Sequence, residues 1–153
     1  MALELSTAGV LLKYCVEATA GTRPETAYTT ITNIKSIPDM NPEPSTYDVT
    51  DLSDLVWKRY IPALKDPGGA FAFTANLNDA FQTAWESLVS AANTAAESDL
   101  ATWFEVYIPG MTDGFFFAGM PSELGLSAIE VDSVLETTVY ITPNQIEGFA
   151  TKI

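Results

Sequence analysis

Histidine is absent from this 153-residue chain, and cysteine occurs once, as Cys15. Without imidazole there is no Ser-His or Cys-His general-base chemistry and no common zinc site. A lone thiol excludes an intrachain disulfide and any thiolate cluster for a metal. No run approaches the 18–20 apolar residues of a membrane helix, Phe115 to Met120 being the nearest. Met1-Ala-Leu-Glu-Leu-Ser has no basic residue ahead of an apolar stretch, so the expectation is no secretory signal and a product made and kept in a cytoplasm. Most enzyme classes are disfavoured at once.

Positive charge is missing over a longer span. Between Asp66 and Thr151 there is no lysine or arginine, against twelve carboxylates. Of the net charge of −13, the first 65 residues contribute only −2. Such a surface repels nucleic acid and anionic membranes out to a Debye length of about 8–10 Å. It is not a disordered acidic tail, because 47% of residues are hydrophobic and 11% aromatic. A chain of this length is expected to form a single domain, residues 1–153, that buries roughly 70% of its unfolded surface.

The dominant period is two. Val10, Leu12, Tyr14 and Val16 alternate with Leu11, Lys13, Cys15 and Glu17; Phe104, Val106 and Ile108 alternate with Trp103, Glu105 and Tyr107. A hairpin is predicted from Trp103–Pro109 through the Gly110–Gly114 turn to Phe115–Met120. A last strand is predicted over Val131–Thr142, with Leu135, Thr137, Val139 and Ile141 on one face. Leu77, Phe81, Ala84, Trp85, Leu88 and Ala92 recur at helical steps, predicting a helix over about 77–96 capped by Asn76 or Asn78. Its outer face carries little charge, which suits packing on both sides. Residues 36–48 hold three prolines and little period, predicting a stiff extended contact loop. The fold class expected is mainly β: an antiparallel β-sandwich or partly closed barrel flanked by one α-helix.

Several constellations have chemical potential. Asp48, Asp51 and Asp54 invite a hard cation, but their spacing does not match a calcium loop, and an acidic turn between strands is the plainer reading. Glu105 with Glu136 invites a glycosidase-like pair, yet outward carboxylates on alternating strands are ordinary. Pro67-Gly68-Gly69 is a turn rather than a phosphate loop, lacking the lysine and helix that would follow. Lys58, Arg59 and Lys65 are either a solvated turn paired to nearby carboxylates or, with Tyr60, contacts to the acidic half of a neighbouring copy. No metal or other cofactor is expected.

The order of an N-terminal strand, a strand at Ile31–Ile37, a proline-bearing loop, then Val49-Thr50 leading into the Trp57–Gly69 segment resembles the major tail tube proteins of long-tailed bacteriophages. The resemblance covers essentially the whole chain through loose hydrophobic and turn patterns. Where family members often have glycine, this chain has Ala63, and Pro67 follows Asp66 where they often have glycine. The resemblance implies a virion structural protein, not an enzyme, assembled in the host bacterial cytoplasm into hexameric rings stacked as a hollow tube. It implies that Pro38, Met40, Pro42 and Tyr47 contact the next ring and that the inner sheets of six subunits surround the lumen. The implied partners are copies of the chain, the tape-measure, tail terminator and distal tail proteins, and viral DNA as transient cargo, with no membrane. A lumen without cations would let phosphate pass without sticking, and Glu105, Asp132 and Glu136 are candidates to line it. Two other readings stay open: the tube of a secretion or contractile injection system carrying protein, and a monomeric β-sandwich binding module with an aromatic platform of Trp103, Tyr107 and Tyr140.

Overall fold

The computed structural model describes residues 4–41 and 43–153. In chain order these form β1 (Leu11–Val16), β2 (Thr29–Ile31), β3 (Ile34–Ser36), β4 (Thr46–Asp48), β5 (Tyr60–Pro62), β6 (Phe71–Asn76), α1 (Asp79–Ala96), β7 (Thr102–Tyr107), β8 (Asp113–Pro121) and β9 (Glu136–Thr151). Seven strands make one antiparallel sheet in the order β2-β1-β7-β8-β9-β6-β3, while β4 and β5 pair only with each other. The two edge strands of the large sheet, β2 and β3, are separated in sequence by Thr32 and Asn33 alone. Three Cα steps of about 3.8 Å span at most roughly 11 Å, so the sheet must curl until its edges meet. The result is a nearly closed barrel rather than two stacked sheets. Asn33 takes φ 66° at the crossing, a left-handed conformation that asparagine tolerates, and its carbonyl accepts from the Asn76 N–H at 2.9 Å. The single strand expected over Ile31–Ile37 is therefore two strands on opposite edges.

The inner face of the barrel follows the period-two pattern. Leu12, Ile31, Phe73, Phe104, Phe117, Val139 and Ile141 are all buried in one cluster. Phe104 stacks on Phe117 with ring centres 5.2 Å apart, and Phe71 meets Phe117 edge-on at 5.5 Å. Onto this cluster α1 lays Phe81, Trp85, Leu88 and Val89. Asn78 is the N-cap, its side-chain oxygen accepting from the Phe81 N–H at 2.9 Å, and Asp79 stands in the first turn where the helix dipole favours an anion. The indole of Trp85 donates to the Ser122 carbonyl at 2.9 Å, so the largest fully buried side chain leaves no polar atom unmatched.

Two boundaries differ from the sequence pattern. The last strand begins at Glu136 and runs past Pro143 and Gly148 to Thr151. Those two residues look like terminators, but they sit at register shifts against β8, between Phe116/Phe117 and between Ala118/Gly119. A bulge accepts proline and a left-handed glycine without ending the ladder, and Gly148 has φ 93°. Close approach there also explains Gly119, where a Cβ would stand 2.7 Å from the Thr142 carbonyl oxygen. Residues 122–135 form a connection instead of extending the strand.

Candidate assembly surfaces

An arm leaves the barrel. Beyond β3 the chain runs to β4, and β4 with β5 forms a hairpin whose strand residues are all solvent-exposed. The ladder continues outward from Ala63 N–H to Ser45 O, through Val49 N–H to Arg59 O, both 2.9 Å, and ends where Arg59 N–H donates to the Thr50 hydroxyl at 2.8 Å. At about 3.3 Å per residue, the stretch from Thr46 to Asp51 gives a reach of roughly 17–20 Å. Arg59 fastens the tip: its Nε donates to Asp54 Oδ2 at 2.8 Å and its Nη2 to Asp51 Oδ2 at 3.0 Å. The Asp48 carboxylate accepts from the Thr50 N–H. The three aspartates that sequence spacing offered to a cation are thus turn-forming groups, two of them holding one guanidinium. Hydrogen bonds from the Ser53 hydroxyl and N–H, then from Arg59, hold the Asp51 carboxyl below the ordinary aspartate range; the Thr50 hydroxyl and N–H do the same for Asp48.

The tip is apolar. Leu52, Leu55, Val56 and Trp57 stand in solvent, Leu52 fully and Trp57 at 81% exposure, with Leu64 at the arm's base. A two-stranded hairpin is marginal in water by itself, and an unburied cluster of this size on a folded chain marks a contact site.

A second apolar surface lies on the β8–β9 connection, referred to below as the strap. Both ends of the strap are tied to the barrel: Ser122 N–H donates to Tyr140 O and Leu77 N–H to Leu135 O, at 2.9 and 3.0 Å. Thr137 Oγ1 donates to Gly125 O at 2.9 Å, and Thr138 N–H to Ser127 Oγ at 3.1 Å. Between these ties Leu126, Ile129, Val131 and Val134 point outward, exposed. An open groove of about 520 Å³ separates the strap from β6 and β9, walled by Ile129, Val134, Leu135, Thr74 and Thr137.

The residues singled out by sequence fare differently. Tyr47, Lys58, Tyr60 and Lys65 are exposed on or beside the arm. Arg59 is exposed too, but its charge is spent inside the arm on Asp51 and Asp54. Met40 packs against the barrel core and Pro38 is half-buried, so Met40 anchors the loop's start instead of reaching outward. Pro42 lies outside the described residues. The expectation of an extended loop over 36–48 is corrected at its end, where Thr46–Asp48 is β4.

Glu105 requires the largest correction. It is 0% exposed, lying against Gly114, where a Cβ would come within 3.2 Å of its carboxylate. Its Oε2 accepts from the Ile153 N–H at 2.9 Å, and Lys13 Nζ stands 3.9 Å from Oε1. It faces the interior of the subunit, not a channel. Alternation placed it correctly opposite Phe104 and Val106, but that opposite face is covered by Tyr28, Ala150 and Ile153 around Trp103 and Phe116. The same cover buries Trp103, whose Nε1 donates to Glu17 Oε1 at 2.7 Å, removing it from any exposed aromatic platform. Glu136 is partly exposed and ion-paired with Lys35, and Asp132 is exposed in the turn before β9. Glu147 pairs with Arg23 at 2.6 Å. Three cations of the N-terminal half therefore return to the acidic half as Lys13, Lys35 and Arg23, so the charge is less segregated in space than along the chain.

No family model matches this chain, and no curated protein is close enough in sequence to count as a relative. Its fold resembles that of a chain in the cryo-EM structure of the anti-feeding prophage (AFP) baseplate, 6-fold symmetrised, with a TM-score of 0.58. The likeness covers 100% of both chains at 10% identity, and at that identity it is a likeness of fold.

Proposed function

We propose that this chain is a self-assembling structural protein of a phage-tail-like particle, with no catalytic role, whose copies form hexameric rings stacked into a hollow tube. The single observation that carries the reading is the arm: a hairpin outside the barrel, with an apolar tip that only another macromolecule can cover. The whole-chain fold likeness to a component of a sixfold particle supports the symmetry. Carboxylates of the 66–151 stretch other than Glu105, Glu136 and Glu147, which Lys13, Lys35 and Arg23 already face, are the groups left to make a channel wall that repels phosphate.

Two cargoes fit the same architecture. A long-tailed phage tube conducts DNA, with tape-measure, terminator and distal tail proteins as partners, whereas the tube of a contractile injection system conducts protein. The anti-feeding prophage likeness favours the second as much as the sequence resemblance favours the first. Electron microscopy of the purified chain over a concentration series tests the shared core of the proposal. Sixfold rings or tubes of uniform width are expected; a strict monomer at every concentration, with or without an initiating tail protein, removes it. Density in the channel of native particles then separates DNA from protein.

A further inference from the structure

We infer that the arm tip of one copy seats on the strap of the next, with Trp57 entering the groove beside Ile129 and Val134 and Lys58 meeting Glu130 and Asp132. The inference rests on the self-assembly reading above and adds which two surfaces meet. Both surfaces are apolar and exposed in the same chain, so neither covers the other within one subunit. The groove has the size of an ordinary small-ligand pocket, a few hundred Å³, and tryptophan is one of the side chains enriched among the anchors that fill such recesses at interfaces.

Charge supplies the register. Asp51 and Asp54 are occupied by Arg59, which leaves Lys58 as the cation beside Trp57 with no ion-pair partner among the described residues. The strap offers Glu130 and Asp132 between its exposed apolar residues, and neither has an ion-pair partner among the described residues. A lysine at the rim of one apolar patch and two carboxylates within the other fix one docking orientation better than apolar contact alone. This assigns Asp132 to a contact between copies instead of the channel wall.

Arm and strap are different surfaces, so the contact is heterologous: each copy gives its arm to one neighbour and receives an arm from another. Such contacts build rings or continuous stacks rather than closed pairs. The strap also gains a reason for being pinned at both ends, since a receptor surface fixed to the barrel transmits the position of the incoming arm to the rest of the subunit.

The test mixes two variants in a Cys15→Ser background, Val56→Cys on the tip and Ile129→Cys on the strap, assembles them and oxidises. Both sites are exposed, so the fold is retained, which circular dichroism checks. The expected product is a disulfide between the two different variants, at least tenfold above homodimers of either, because cysteines bond only when their Cβ atoms come within about 4.5 Å. Assembled particles with homodimers or no cross-link overturn the contact while leaving self-assembly intact. Wild-type protein that never assembles overturns both. A charge swap gives an independent reading without cysteines: Lys58→Glu lowers assembly about tenfold, and adding Glu130→Lys with Asp132→Lys restores it. Failure to restore counts against the contact.

Discussion

The barrel and the arm are built from the same residue types with opposite outcomes. Phe117, Phe104 and Trp85 are fully buried, with every neighbour supplied by the same chain, whereas Leu52, Leu55 and Trp57 stand in water. Sequence distance does not explain the difference, since the barrel joins strands as far apart as β1 and β7. Closure does. A sheet whose two edges are linked by Thr32-Asn33 encloses an interior that seven strands and a helix can fill. The isolated β4–β5 ladder has two faces and no layer to cover either. The barrel's apolar interior is covered by its own strands and helix, whereas nothing in the subunit covers the apolar tip of the arm.

The comparison breaks most readily in the barrel. Phe117→Ala removes a ring stacked on Phe104 and is expected to cost about 3–5 kcal/mol, which lowers the melting temperature by roughly 10 °C for a chain of this size. A fall of only a degree or two in a thermal melt would mean that the interior is loosely packed. Glu17→Ala comes next. It deprives the Trp103 indole and the Gly21 and Ala101 N–H groups of their shared acceptor, with a loss of about 3 kcal/mol by urea titration. Glu17→Gln keeps an acceptor oxygen and should lose less.

Trp57→Ala is the contrasting case. Monomer stability should stay within about 0.5 kcal/mol, as for exposed surface sites, while the concentration needed for assembly rises at least tenfold, on the order of 1.4 kcal/mol. A variant that melts early instead would place Trp57 in the barrel's stability and not in assembly. The smallest effect concerns pH. The folded-state carboxyls of Asp48 and Asp51 are depressed by their hydrogen bonds, so their contribution to the tip's order is full above the unfolded aspartate value of about 3.9 and is lost as pH falls through the lower folded value. The Thr50 and Ser53 amide resonances should titrate below about pH 4. Titration at or above the ordinary aspartate value would show the turn to be open.

Much of the barrel was legible because its signals are local. The hairpin around Gly110–Gly114 and the helix from Asp79 were readable from glycine placement and a three-to-four-residue stripe, each confined to some twenty residues. What stayed illegible depends on distant layers. Period-two alternation tells which residues share a face, but not that the Glu105 face is roofed by Tyr28 and Ile153. The break between β2 and β3 is invisible in composition, since Ile31 and Ile34 read as one strand until closure separates them onto two edges. At the candidate surfaces the basic and aromatic residues of the arm drew notice, but of the strap only the Asp132 carboxylate did, and its apolar residues were missed: Val131 and Val134 mimicked the start of a strand. The signal that could have found it is an apolar set, Leu126, Ile129, Val131 and Val134, with neither a two- nor a four-residue period.

Amide hydrogen exchange on dilute and assembled protein, followed along the chain, tests most directly whether the barrel is self-sufficient and the arm is completed by another copy. Barrel strands such as β6 and β7 should be equally protected in both states, and the amides of the arm, residues 46–62, should exchange fast when dilute and slow sharply on assembly. An arm already protected in the dilute monomer, or still fast within assembled particles, would contradict the account.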